Sequence, residues 1–117
     1  MIREEVVIPV IVGDDPLLLL RIQKRVGGAL VPYDLTNVDE IEFIVRAKSS
    51  DPVPMATYRL SEGAVTKIAA EVGRFSVQLE GANYSSEPIH HRRYQVRCRE
   101  VGHWTTVMAG QLALKAV

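Results

Sequence analysis

The sequence predicts a small all-β domain built as an antiparallel sandwich. Three observations lead there: hydrophobic alternation with a period of two, turn residues at short intervals, and no stretch with a sustained helical period. Ile41, Phe43 and Val45 alternate with Glu42, Ile44 and Arg46. Phe75, Val77 and Leu79 alternate with Arg74, Ser76 and Gln78. Tyr94, Val96 and Cys98 alternate with Arg93, Gln95, Arg97 and Arg99, and Leu112 and Leu114 alternate with Gln111, Ala113 and Lys115. Successive side chains of a strand point to opposite faces, so each stretch has one face for a core and one for water. Half-buried strands of this kind belong to antiparallel sheets, whereas parallel strands are apolar on both faces.

The expected strands are 5–12, 17–24, 40–48, 55–60, 64–69, 73–80, 92–100, 103–108 and 110–116. Gly13-Asp14-Asp15-Pro16, Gly27-Gly28, Val31-Pro32-Tyr33-Asp34, Ser49-Ser50-Asp51-Pro52, Ser61-Glu62-Gly63, Glu71-Val72-Gly73 and Gly81-Ala82-Asn83 separate them. Glycine supplies positive φ, proline fixes φ, and Asp or Asn bonds its own backbone. Val65–Val72 competes as helix, with Lys67 and Glu71 four apart, but it is short and closed in by Gly63 and Gly73, so strand is expected. Residues 84–91, broken by Pro88, read as a loop or a single helical turn. Gly110 inside the last apolar stretch predicts a bulge or bend that lets 103–116 pass from one sheet to the other. The sum is an antiparallel Ig-like β-sandwich of about 7–9 strands, in one domain over residues 1–117.

At 117 residues and 47% apolar content the chain is long enough to bury a core without staples. Lys plus Arg equals Asp plus Glu. A nucleic-acid partner is therefore not expected, since phosphate binding calls for a basic excess. Zero net charge also leaves self-association unopposed. A single cysteine, Cys98, excludes an internal disulfide and fits a reducing compartment and a buried position. No apolar run approaches the ~20 residues of a membrane-spanning helix, so no membrane association is expected. Met1-Ile2-Arg3-Glu4-Glu5 does not open a signal peptide. The opening Met1 and the closing strand give the expectation of a complete gene product.

Candidate chemistry is sparse. His90, His91 and His103 match no zinc spacing with Cys98, although a hairpin of the last two long strands would bring His103 near His91. The acid pairs Glu4-Glu5, Asp14-Asp15 and Asp39-Glu40 suit acid–base work only if both carboxylates line one pocket, and neighbours on a strand diverge. Ser61, Ser76, Ser85 and Ser86 lack a nucleophile-elbow setting. No catalytic residue, metal or cofactor is expected, and the protein is read as a non-enzyme. The cluster His90, His91, Arg92, Arg93, Arg97, Arg99 is locally basic, and Arg93, Arg97 and Arg99 share one strand face. Salt bridges to acids on a neighbouring strand account for such a face most simply, with contact to a protein partner as the functional alternative. An aromatic platform for a carbohydrate would need Tyr33, Tyr58, Tyr84 and Trp104 together on the surface, because Phe43, Phe75 and Tyr94 read as core.

One order of motifs is distinctive. Asp15-Pro16 and Leu17–Leu20 precede the run Gly28-Ala29-Leu30-Val31-Pro32-Tyr33-Asp34-Leu35-Thr36, followed by Ile41-Glu42-Phe43. Gly73-Arg74-Phe75, Tyr94-Gln95-Val96-Arg97 and Gly110-Gln111-Leu112-Ala113-Leu114 complete it. Over roughly residues 13–116 this order resembles small Ig-like structural domains of tailed bacteriophages and prophages, notably the N-terminal domain of baseplate upper proteins. Asp34 and Thr36 have a physical role in it, capping a turn while Leu35 anchors the loop. The resemblance implies a virion structural or assembly protein of the tail, baseplate or head–tail region. Its partners would be copies of itself, as a homo-oligomer, and other phage structural proteins. Its location would be the bacterial host cytoplasm during assembly and then the virion. The expected contacts are the N-terminal strand, with Val6, Ile8 and Val10, and the arginine face of Arg93, Arg97 and Arg99. An unpaired edge strand is a template for another chain.

Overall fold

The computed structural model describes residues 5–11, 15–46, 54, 56–68, 72–80 and 91–115. Ten strands run along them: β1 (Glu5–Ile11), β2 (Leu17–Arg21), β3 (Gln23–Val26), β4 (Ala29–Pro32), β5 (Val38–Arg46), β6 (Ala56–Arg59), β7 (Val65–Lys67), β8 (Arg74–Gln78), β9 (His91–Glu100) and β10 (His103–Lys115). A 3-10 turn over Leu60–Glu62 joins β6 to β7. Of the loop or helical turn expected over 84–91, residues 84–90 lie outside the described residues and His91 instead begins β9.

A five-stranded sheet in the order β1-β10-β9-β5-β6 faces a three-stranded sheet in the order β2-β8-β7. This is Ig-like topology. In chain order the strands occupy the G-F-C-C′ and B-E-D places of a variable-type immunoglobulin sandwich. All pairs are antiparallel except β1, which runs parallel to β10 along the outer edge. The β3–β4 hairpin is an insertion between the B and C places. Sequence pattern divided its chain differently, as one strand over 17–24 followed by turns. Ile22 is why the division fails. It is buried, its N–H donates to Gly73 O at 2.9 Å, and its carbonyl accepts from Tyr33 N–H at 2.8 Å, so the chain leaves the sheet there.

The core lies between the sheets. Ile41, Phe43 and Val45 of β5, with Tyr94, Val96 and Cys98 of β9, meet Leu20 of β2, Val65 of β7, and Phe75 and Val77 of β8. Phe43 stacks on Tyr94, with centroids 5.2 Å apart and rings 9° from parallel, and Tyr58 meets Phe43 edge-on at 6.2 Å. Each such pair adds about 1 kcal/mol beyond its area burial. With one cysteine in the chain there is no disulfide between the sheets, and these aromatics fill the middle instead.

The expected bend at Gly110 does not occur. β10 is continuous and stays in one sheet, and Gly110 is flanked on both sides, by Val6 and by Tyr94. The irregularity falls between Thr106 and Met108, where Val107 is the extra residue of a bulge. The bulge reverses the alternation. Thr105 lies across from Cys98 on the core side before it, and Met108 lies across from Val96 on the core side after it.

A candidate interaction face on the five-stranded sheet

The solvent side of the five-stranded sheet is built by cross-strand register. Arg59 lies opposite Glu42, Glu42 opposite Arg97, and Arg97 opposite Thr106. Glu42 Oε2 accepts from Arg59 Nε at 3.0 Å, and its Oε1 lies 3.8 Å from Arg97 Nη1. One residue pair further along, Arg99 lies opposite Trp104, and its Nε donates to Asp39 Oδ1 at 3.0 Å.

Both guanidinium groups then rest on one indole. Arg97 Cζ is 4.8 Å and Arg99 Cζ 5.4 Å from the Trp104 ring centroid. The attraction of a cation for the negative face of the ring holds these arginines down, in addition to their carboxylate partners. Trp104 itself is 36% exposed. The result is a flat aromatic–arginine platform next to a hairpin end. Arg46 Nη1 donates to Gln95 Oε1 at 3.0 Å, and Gln95 Nε2 donates to Thr106 Oγ1 at 2.7 Å, which continues the polar mesh along the strands.

The arginines singled out from sequence do not form one cluster. Arg97 and Arg99 converge on Trp104 and pair with acids on β5, as the simpler reading of the face expects. Arg93 points to the same side but lies opposite Arg46 and Gln111, roughly 13 Å along β9 from Arg97. Val6, Ile8 and Val10 sit on the edge strand β1, level with Gly110, Leu112 and Leu114 of β10, and are placed by backbone register alone. Trp104, which the sequence does not place beside the arginines, lies at the end of the β9–β10 hairpin. Its position follows once Glu100 is paired with His103 across the turn.

No known protein-family model matches the chain, and no relative is found among the curated proteins.

Other candidates are dispersed by the fold. β9 and β10 do form a hairpin, yet His91 lies opposite Ala113 and His103 opposite Glu100, so these histidines stand roughly 30 Å apart at its two ends. His90 and Tyr84 lie outside the described residues. Among the described residues no group of three His, Cys, Asp or Glu side chains is placed to hold a metal ion. Asp39 and Glu40 diverge: Asp39 reaches Arg99, whereas Glu40 is buried and its Oε1 accepts from the Ile41 and Ser61 amides, each at 3.1 Å. Among the described residues no aromatic platform for sugar assembles. Tyr58 is only 3% exposed, and half-buried Tyr33 donates its hydroxyl to Glu100 Oε2 at 3.0 Å. Burial and the Glu100 carboxylate push the Tyr33 phenol up to about 12. Burial also pushes the Cys98 thiol up to about 12, so it stays protonated at neutral pH and packs as a hydrophobe. Among the described residues no helix is long and apolar enough to cross a membrane.

Proposed function

We propose that this protein is a non-enzymatic structural or assembly component of a tailed phage or prophage particle, acting through protein–protein contacts of the five-stranded sheet. The observation that carries the contact surface is the Trp104 platform. Tryptophan and arginine dominate the energetics of protein interfaces, and here both arginines are ordered before any partner arrives, which lowers the entropy cost of binding. The placement in a phage particle rests on the resemblance over residues 13–116, and the Ig-like sandwich is compatible with it. Host cytoplasm during assembly, then the virion, is the location this reading carries.

Binding to purified tail or baseplate assemblies tests it. Trp104→Ala should weaken binding at least about 30-fold, the scale of an interface tryptophan. The domain's own melting should move little, because the ring lies at the surface. Binding unchanged by both Trp104→Ala and Arg97→Glu would remove this face from the reading.

A further inference from the structure

The three-stranded sheet has an edge of a different character. β2 pairs with β8 on one side, and among the described residues no strand lies on the other. Its register sets which backbone groups face outward. Pro16 O accepts from Leu79 N–H and Ile22 N–H donates to Gly73 O, so the even-numbered residues spend their backbone groups on the β8 side. The N–H and C=O of Leu17, Leu19 and Arg21 therefore point to the open edge. Pro16, which has no N–H, falls on the β8 side, where Leu79 O accepts from Gln78 Nε2 at 3.2 Å instead, so the gap leaves the open edge intact. The same odd-numbered residues carry the solvent face, where Leu17 and Leu19 are 58% and 59% exposed and Asp15 and Arg21 are exposed at either end.

This edge is complementary to itself. When a second copy is laid antiparallel about Leu18, Leu17 falls opposite the partner's Leu19, Leu19 opposite the partner's Leu17, and Asp15 level with the partner's Arg21 at both ends. Both leucine pairs are of the hydrogen-bonded kind, each exchanging two backbone bonds. Acid meets base at each end of an apolar centre, and a molecule of zero net charge sets no long-range repulsion against the approach. The other edges of the two facing sheets are less suited: β1 carries Pro9, β6 has only four residues and β7 only three.

We infer that two copies of this chain associate through antiparallel β2–β2 pairing centred on Leu18, joining their three-stranded sheets into one continuous sheet. The inference names the self-partner of the contact module proposed above, at a surface separate from the Trp104 platform. It rests on that reading only for its biological setting.

Sedimentation equilibrium of the full chain decides it, using wild type, Asp15→Arg, Arg21→Asp and the Asp15→Arg/Arg21→Asp double variant. Each single reversal puts like charges together at both ends of the symmetric pairing and should weaken association roughly ten-fold. The double variant restores both pairs and should return to within about two-fold of wild type. Trp104→Ala should leave self-association unchanged. A wild-type chain that stays monomeric up to about 1 mM overturns the inference, as does association indifferent to the reversals or not recovered by the double variant. Loss of association in Trp104→Ala alone also overturns it, and moves self-contact to the platform while leaving the proposed function standing.

Discussion

Glu40 shows how one side chain ties local geometry to pH. Burial raises its carboxyl, but the hydrogen bonds from Ser61 and from the Ile41 amide, with the Arg99 charge nearby, bring it below the ordinary carboxylate value. A lowered folded-state pKa means that Glu40 stabilises the fold fully above the ordinary carboxylate range, and that this contribution is lost as pH falls through the folded value. Glu40→Gln should cost about 1 kcal/mol at pH 7, and the gap between variant and wild type should close on acidification below about pH 4. Thermal melts across that range read the closure directly. Glu40 was not legible as special in the sequence, because its amide donor from the 3-10 turn, Ser61, lies twenty-one positions away. Asp34 and Thr36 were legible, because their bond is local. The Thr36 amide donates to Asp34 Oδ1 at 2.9 Å, and Leu35 is buried beside them. Lys67 then reaches the same loop, donating to Leu35 O at 2.8 Å and also to Val38 O.

At the scale of elements, strands with one wet face declared themselves by alternation, and β5, β8 and β9 begin and end within about two residues of where the pattern puts them. The departures have local causes. β4 hides among turn residues, since Pro32 and exposed Ala29 and Leu30 carry no alternation. The bulge in β10 changes the phase of the pattern without any glycine to announce it. The β9–β10 turn is built from Val101 and Gly102, both at positive φ, and a valine there conceals a two-residue hairpin that Asn-Gly would advertise. Gly73 is the element joint with the least tolerance. Its φ is +79°, and a Cβ would stand 2.6 Å from Ile22 O, the carbonyl that links β2 to the start of the Tyr33 loop. Gly73→Ala should lower stability by about 3 kcal/mol in denaturant unfolding, more than the same change at Gly27 or Gly63, where nothing crowds a Cβ.

For the whole molecule, the all-β class follows from period and turns, because burial on one face of each strand is written in every second residue. The pairing order does not follow from them. Which strands meet depends on long-range contacts, and the parallel docking of β1 on β10 has no local signature. The candidate face was legible in part for the same reason. Alternation gathered Arg97 and Arg99 onto one side, but Trp104, Glu42 and Asp39 joined them only through the order of strands. A sheet face with a tryptophan–arginine platform, and a second sheet whose β2 edge is unpaired among the described residues, suit the proposed role of a part held by neighbours in a repeating particle. Mass spectrometry of purified tailed-phage particles, induced from a bacterial lysogen engineered to carry this gene at its prophage locus, tests that claim most directly. The chain should copurify with the particles at a ratio comparable to tail or baseplate proteins. Abundance in the induced cells with absence from the particles would contradict a virion component.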